Sequence, residues 1–341
     1  MPPITGRSSQ SLDIEDFAAL EDYLRRTERV AQDAALSFRK LGGGVSNRVV
    51  LAEFSGGASW VLKQSLEKLR VEVDWRCSLD RNHREAIALS LFEKLAPNGS
   101  ITPLIFEDRE NSLLAMKAAP APHVNWKQSL MEGSLDTSLF DQAGGLLRLI
   151  HQRGAVADRA DVARFEDRSF FYALRLEPYY LYTASIVEEA SRFLQALAAE
   201  TQSLAVTIVH GDYSPKNMLV HEGRLILLDH EVAHLGDPAF DLGFFLAHVL
   251  SKAHHFPERR EAFFHAALRF WTSYQDPWDL EARAVRHTLA CLLARVAGRS
   301  PLEYLSAGER ERQQNAVLPL LSAPPRKLSA FLPKFRAAIE A

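Results

Sequence analysis

The strongest constraint on the fold lies in residues 206–235, where the short β-prone runs "VTIV", "MLV" and "RLILL" are separated by a polar loop and a tight turn. In "IVHGDYSPKNMLV", residues 208–220, a His-Gly-Asp, a proline, a lysine and an asparagine sit between two buried-type strands. Such a segment is either an ordinary surface turn or a loop that holds chemistry. The turn His221-Glu222-Gly223 closes a hairpin, and the returning strand delivers Asp229 and Glu231. Alternation along an extended chain predicts that Asp229 and Glu231 share a side. The hairpin predicts that Asn217 lies beside Asp229.

These residue types describe a hard-cation site beside a base. Magnesium takes oxygen ligands, usually one or two carboxylates together with phosphate oxygens. Asn217 and Asp229 supply such oxygens, with Glu231 as a third candidate. Asp212, on the preceding loop, can accept a proton from an attacking hydroxyl, and His210 and Pro215 would fix the shape of that loop. Lys216 is either a phosphate contact or a solvated lysine. Phosphoryl transfer from ATP needs these parts: a loop aspartate, a loop asparagine on the metal and a second aspartate on the metal.

A phosphate-gripping element is then expected upstream. "LGGGVSNRVVLAEF" places Gly42, Gly43 and Gly44 in a turn before a strand, with Ser46 and Asn47 following, where backbone N–H groups can reach a phosphate. Lys63 is a lone lysine on the strand "SWVLKQ", and Glu85 on the next helix is its natural partner. Taken singly, each feature has a plainer explanation: a simple turn, an edge lysine, an exposed helix carboxylate. Their occurrence in the order glycine loop, strand lysine, helix glutamate, loop aspartate and asparagine, then Asp229 and Glu231 favours a kinase-type phosphotransferase.

The 341 residues exceed one ordinary core, so two lobes are expected. Residues 1–118 read as an ATP-binding lobe, in which a helix around Ile14, Phe17, Leu20 and Leu24, capped by Ser11 or Asp13, precedes a meander of strands with one helix over 82–96. Residues 119–341 read as a mostly helical lobe with the catalytic loop and the acceptor site. The fold class is α+β. A formal charge of −3 gives no broad basic field for nucleic acid or an anionic membrane. No apolar run approaches the roughly 20 residues of a membrane span. Cys77 and Cys291 make neither a zinc pattern nor a disulfide framework and read as buried reduced thiols. With no secretory signal at the N-terminus, the expected location is cytoplasmic.

The pieces "VHGDYSPKNMLV" and "LLDHEVAHLGDPAFDLGFF" resemble the aminoglycoside phosphotransferase and choline kinase superfamily, relatives of the protein kinases. The resemblance implies a bilobal protein-kinase-like fold, with ATP and Mg2+ as cofactors and a small-molecule alcohol as substrate. It makes Asp212 the catalytic base, Asn217 and Asp229 metal ligands, Lys63 with Glu85 the phosphate pair, and Asp241 a brace for the catalytic loop. HGD in place of HRD, and the absence of DFG and APE signatures, speak against a protein kinase. "VLKQSLEKLRV" and "DWRCSLDRNHREAIAL" further resemble methylthioribose kinases, as does Glu231 two residues after Asp229. The loop sequence YSPKN instead follows the general phosphotransferase pattern. A nucleotide-binding pseudokinase or scaffold is the alternative from another class.

For the acceptor, Arg295 and Arg299 are candidates. Phe264, Trp271, Tyr274 and Trp278 either wall a substrate or pack helices together. The mixed charges of residues 254–283 favour a neutral sugar or other small alcohol over a polycation.

Overall fold

The computed structural model describes residues 12–42, 46–70 and 75–341. The described residues fall into two compact units, one within Met1–Ala86 with Pro103–Ala118, the other Ile87–Thr102 with Ala119–Ala341.

In the first unit, helix α1 (Phe17–Arg26) precedes strands β1 (Leu36–Lys40), β2 (Asn47–Phe54) and β3 (Ser59–Ser65), then helix α2 (Arg81–Leu95) and strands β4 (Leu104–Asp108) and β5 (Leu113–Lys117). The boundary between the units falls within α2. The strands form one antiparallel sheet in the order β1-β2-β3-β5-β4. The α1 cap differs from the sequence expectation. Asp16, not Asp13, is the N-cap, because its carboxylate receives the amides of Ala18 and Ala19, and Ser11 lies outside the described residues. Asp13 instead accepts the amide of Glu15 in a local turn. Leu20, Tyr23 and Leu24 of α1 pack on Val50, Ala52, Leu62 and Ala115 of the sheet.

Sheet parity then decides where Lys63 points. Val50, Leu62 and Ala115 pair across β2, β3 and β5 and face α1. Lys63, the next residue along β3, projects from the opposite face. A one-residue slip in β3 would bury Lys63 against α1, so the apolar row fixes the lysine.

The second unit continues with strand β6 (Val124–Asn125) and helices α3 (Trp126–Met131), α4 (Thr137–Ala155), α5 (Arg159–Ala163) and α6 (Ser169–Phe171). A π-helical segment (Tyr172–Leu181) leads into α7 (Tyr182–Ile186), α8 (Glu188–Ser203) and β7 (Thr207–Val209). Strands β8 (Met218–His221), β9 (Arg224–Leu227) and β10 (His234–Gly236) follow, then α9 (Pro238–His255), α10 (Arg260–Tyr274), α11 (Glu281–Ala297), α12 (Ala307–Leu321) and α13 (Leu328–Glu340). Helix α9 is buried from Pro238 to His254, so it is the core helix, packed by α10 and α11.

Two small β units frame the polar loop: β10 pairs with β7, and β8 pairs with β6 and β9. The β8–β9 turn has positive φ at Glu222 (47°) and Gly223 (73°), the two-residue hairpin geometry that matches strand twist. Cys77 and Cys291 are both buried. Burial pushes the Cys291 thiol up to about 12, so it is not a thiolate near neutrality. Among the described residues, no helix is long and apolar enough to cross a membrane.

Candidate active site

The loop between β7 and β8 is held from beneath by Asp241, in the first turn of α9. Its Oδ2 accepts the amide of His210 at 2.7 Å and its Oδ1 accepts that of Gly211 at 2.7 Å. His151 Nε2 adds a third contact, 3.2 Å from Oδ2. Burial alone would raise the carboxyl pKa, but His151 and the loop amides outweigh it and hold Asp241 below the ordinary carboxylate range. Asp241 therefore stays ionised as a fixed acceptor.

Gly211 has φ 77°, and a Cβ there would meet the carbonyl oxygen of Val232 at 2.9 Å. Glycine is thus required before Asp212 both by backbone conformation and by space. The His210 ring bonds at both nitrogens: Nε2–H donates to the Leu228 carbonyl at 3.1 Å, and Nδ1 accepts the Asp212 amide at 3.2 Å. That pattern needs the neutral imidazole, and burial lowers the His210 pKa accordingly. Tyr213 is a buried anchor whose hydroxyl donates to the Ala143 carbonyl of α4 at 2.7 Å.

Asp212 and Asn217 face each other across the loop. Asn217 Nδ2 donates to Asp212 Oδ2 at 2.6 Å and to its carbonyl at 3.0 Å, which leaves Asn217 Oδ1 as the acceptor end of the amide. Pro215 opens the single 3-10 turn that carries Asn217 to this position. Leu228 donates its amide to the Asn217 carbonyl at 2.9 Å, so Asn217 adjoins the residue before Asp229.

Strand alternation is not what sets Asp229 and Glu231. β9 ends at Leu227, and Asp229 sits in the left-handed region at φ 66°. A non-glycine residue in that region stores strain that the surrounding structure must hold. The two side chains nonetheless present carboxylate oxygens within 4.8 Å of one another. These two carboxylates offer oxygen donors of the kind a hard cation takes.

Sequence reasoning missed Arg175. It lies on the π-helical segment, and its Nη2 is 2.7 Å from Asp212 Oδ2. Its Nε donates to the Gly211 carbonyl at 3.1 Å. Burial works against the guanidinium charge, but Asp212 first, then Tyr179, Glu231 and Asp229, outweighs it and raises the pKa. Arg175 is the only charge in "FFYALRLEPYY" before Glu177, a lone cation in an aromatic run, which was the available signal. A π-helical turn often marks a functional position.

In the first unit, Lys63 Nζ lies 2.7 Å from Glu85, with both side chains buried. Asn82, three residues earlier on α2, donates to the Lys63 carbonyl at 3.0 Å and accepts the Ser65 hydroxyl at 2.6 Å. Asn47 is buried with its Oδ1 3.2 Å from the same Ser65 hydroxyl oxygen, while its Nδ2 donates to Ser46 Oγ at 3.1 Å. Arg81, fully buried, donates to the carbonyls of Ser46 and Leu66 and ties the segment after the glycines to α2. Gly42 is exposed, and Gly43 and Gly44 lie outside the described residues.

Of the acceptor candidates, Arg295 is buried and donates to Tyr179 Oη at 2.9 Å. Arg299 pairs with Glu177 at 3.0 Å. Tyr274 is buried with its hydroxyl 2.9 Å from His151 Nδ1, and Phe264 packs on Phe335, so these two aromatics bind helices together. Trp271 and Trp278 are partly exposed.

The profile of the phosphotransferase enzyme family matches residues 37–285, and the chain belongs to that family. Methylthioribose kinase 2 of Oryza sativa subsp. japonica is 25% identical over 268 residues, 69% of this chain and 62% of the relative. A methylthioribose kinase of Yersinia pseudotuberculosis serotype O:3 (strain YPIII) is 26% identical over 258 residues, 67% of this chain and 62% of the relative. The match therefore spans less than two thirds of these relatives' length. Among solved structures, the amicoumacin kinase hAmiN in complex with AMP-PNP, Ca2+ and Ami matches with a TM-score of 0.57 at 15% identity, covering 93% of this chain and 98% of that one. A choline/ethanolamine kinase family protein from Mesorhizobium loti matches with a TM-score of 0.56 at 17% identity, covering 95% of this chain and 99% of that one. The chain shares their kinase-like α+β fold.

Proposed function

We propose that the protein is an ATP- and Mg2+-dependent kinase that moves the γ-phosphate to a hydroxyl of a sugar-like or amino-alcohol small molecule. The observation that carries this reading is the catalytic loop itself. Asp212 is bonded to Asn217 and Arg175, and the loop backbone is fastened to the ionised Asp241. Asp212 orients the acceptor hydroxyl and takes its proton. Phosphoryl transfer demands mostly positioning and charge stabilisation from the protein, and a loop anchored this way supplies the first.

Asn217 Oδ1, Asp229 and Glu231 are the residues that would hold Mg2+, which, when bound, neutralises phosphate charge. In residues 1–118, the backbone of Gly42, Gly43 and Gly44, with Ser46 and Asn47, would hold the nucleotide phosphates together with Lys63. Glu85 keeps the Lys63 ammonium in place. Residues 119–341 would carry catalysis and the acceptor. The methylthioribose kinases among the relatives support methylthioribose as the first acceptor to assay. ATP as donor supports a cytoplasmic location.

Asp212→Asn keeps the shape of the side chain and removes the base. Turnover, followed by coupled ADP release with methylthioribose, aminoglycosides and amino alcohols as acceptors, should fall by about 10²–10⁴-fold with ATP affinity little changed. A variant that turns over at the wild-type rate overturns the role of Asp212. A wild-type protein that binds ATP and phosphorylates no alcohol is the scaffold alternative.

A further inference from the structure

Helix α9 carries two basic side chains one turn apart, His248 and Lys252, and both are buried. Lys252 is 1% exposed, and its Nζ donates only to the carbonyl of His248 in its own helix, at 3.3 Å. Among the described residues it has no carboxylate partner. Arg295 of α11 is 8% exposed and likewise lacks one; its Nη1 donates to Tyr179 Oη and to Ser300 Oγ at 3.0 Å, while its buried Nε has no partner. Tyr304, whose buried hydroxyl is also unpartnered, stands between Lys252 and Lys127, with the ammonium groups 5.5 Å and 5.8 Å from its ring centroid. Of the carboxylates near Tyr304, Glu303 is engaged by Lys127 and Glu309 by His255.

A protein does not normally bury an ammonium beside a guanidinium without a counter-ion, because the desolvated charges cost several kcal/mol and repel each other. The surroundings act as those charges dictate. Burial, then Lys127 and Arg295, lowers the Lys252 pKa to about 7, with Glu303 opposing. His248 is pushed well below its ordinary value by burial, then by Arg295, Lys252, Lys127 and Lys216 of the catalytic loop. Among the described residues, neither Lys252 nor Arg295 has a carboxylate partner of its own. The Tyr179 ring lies 5.6 Å from the Arg295 guanidinium and 5.9 Å from that of Arg175, whose Nη2 contacts Asp212. Tyr179 therefore stands between Arg295 and Arg175, the guanidinium that contacts Asp212.

We propose that Lys252, Arg295 and His248 form a buried oxyanion subsite that receives a carboxylate or phosphate of the acceptor while the acceptor's hydroxyl lies at Asp212. The inference rests on the kinase reading and gives the acceptor its chemical class: a small hydroxylated anion. The neutral acceptor expected from residues 254–283 rested on a segment that contains none of Lys252, Arg295 and His248. Because Lys252 loses its proton near neutrality, anion binding takes one up, and affinity falls as pH is raised from 7 to 9.

The test is calorimetric titration of the full chain, saturated with AMP-PNP and Mg2+, with inorganic phosphate, D-ribonate and the neutral ribitol. Phosphate, ribonate or both should bind at low-millimolar or tighter concentrations, and ribitol should bind at least ~tenfold more weakly than the better anion. Phosphate binding alone assigns a phosphate subsite, and ribonate binding alone a carboxylate one. Lys252→Met should weaken the anion at least ~tenfold while AMP-PNP affinity stays within about twofold and thermal stability is equal or higher, since a buried charge is removed. Lys252→Arg should retain binding. If Lys252→Met does not fold, His248→Asn carries the same expected loss. The inference is overturned if neither anion binds at about 20 mM, if Lys252→Met binds as wild type, or if AMP-PNP displaces the anion, which would assign the cations to the nucleotide. Failure of AMP-PNP to bind strikes the kinase reading instead, and phosphate titration of the nucleotide-free protein then decides the subsite by itself.

Discussion

Replacing Asp241 by asparagine changes no shape and removes one charge from the base of the catalytic loop. Wild-type Asp241 accepts three contacts: two backbone amides at 2.7 Å and His151 Nε2 at 3.2 Å. An asparagine can keep its oxygen toward His210 and His151, but its Nδ2 must then face the N–H of Gly211, donor against donor. The loss is one charge-assisted hydrogen bond, about 1.5–3 kcal/mol, plus about 1–3 kcal/mol for a buried amide left without an acceptor. The sum, about 3–5 kcal/mol with partial relaxation, is what breaking a buried charged pair typically costs. Urea denaturation followed by intrinsic fluorescence should show that loss near pH 7. Its pH dependence has a defined sign: the folded pKa lies below the unfolded 3.8, so the carboxylate's contribution is complete above that value and disappears as pH falls through the folded one. Turnover should fall as well, because Gly211 precedes Asp212 and a displacement of about 1 Å costs ~10²-fold. A variant within about 1 kcal/mol of wild type would refute the view that Asp241 braces the loop.

Tyr213→Phe removes the hydroxyl that donates to Ala143 and keeps the packed ring. It should lower stability by about 0.5–1.5 kcal/mol with nucleotide affinity unchanged, and an unchanged denaturation midpoint would contradict the anchoring role. Lys252 supplies a pH signature. Between about 7, its folded pKa, and the unfolded 10.5, the unfolded chain holds a proton that the folded one lacks, so stability rises with pH in that window. The rise attributable to Lys252 should approach ~1.4 kcal/mol per pH unit from pH 7 to 9, and it should vanish in Lys252→Met. Equal slopes in the two proteins would show that the ammonium is not desolvated.

The catalytic segment was legible because its information is local. His210, Gly211, Asp212, Pro215 and Asn217 fall within eight residues, and the β8–β9 hairpin that follows is encoded by its own turn. The Lys63 position was legible for a similar reason, since strand parity follows from the apolar row that includes Leu62. The α1 cap was misassigned by a few residues because several polar side chains precede the helix, and only backbone geometry selects Asp16. Asp229 was placed by strand alternation, whereas the strand stops two residues earlier and a left-handed turn sets the side chain.

By itself, then, the sequence determined the α+β class, the kinase-like order of motifs and the loop that carries Asp212 and Asn217. Tertiary structure decided what those residues touch. Arg175 reaches Asp212 across 37 positions, Tyr213 reaches Ala143 across 70, and Arg295 reaches Tyr179 across 116. No periodicity encodes such pairings, because they depend on how helices pack rather than on the spacing within any one of them. The same holds for Lys252. Read along α9 it is a lysine near a helix end, where a cation ordinarily meets water, and only the packing around that helix removes the water and makes it a buried charge.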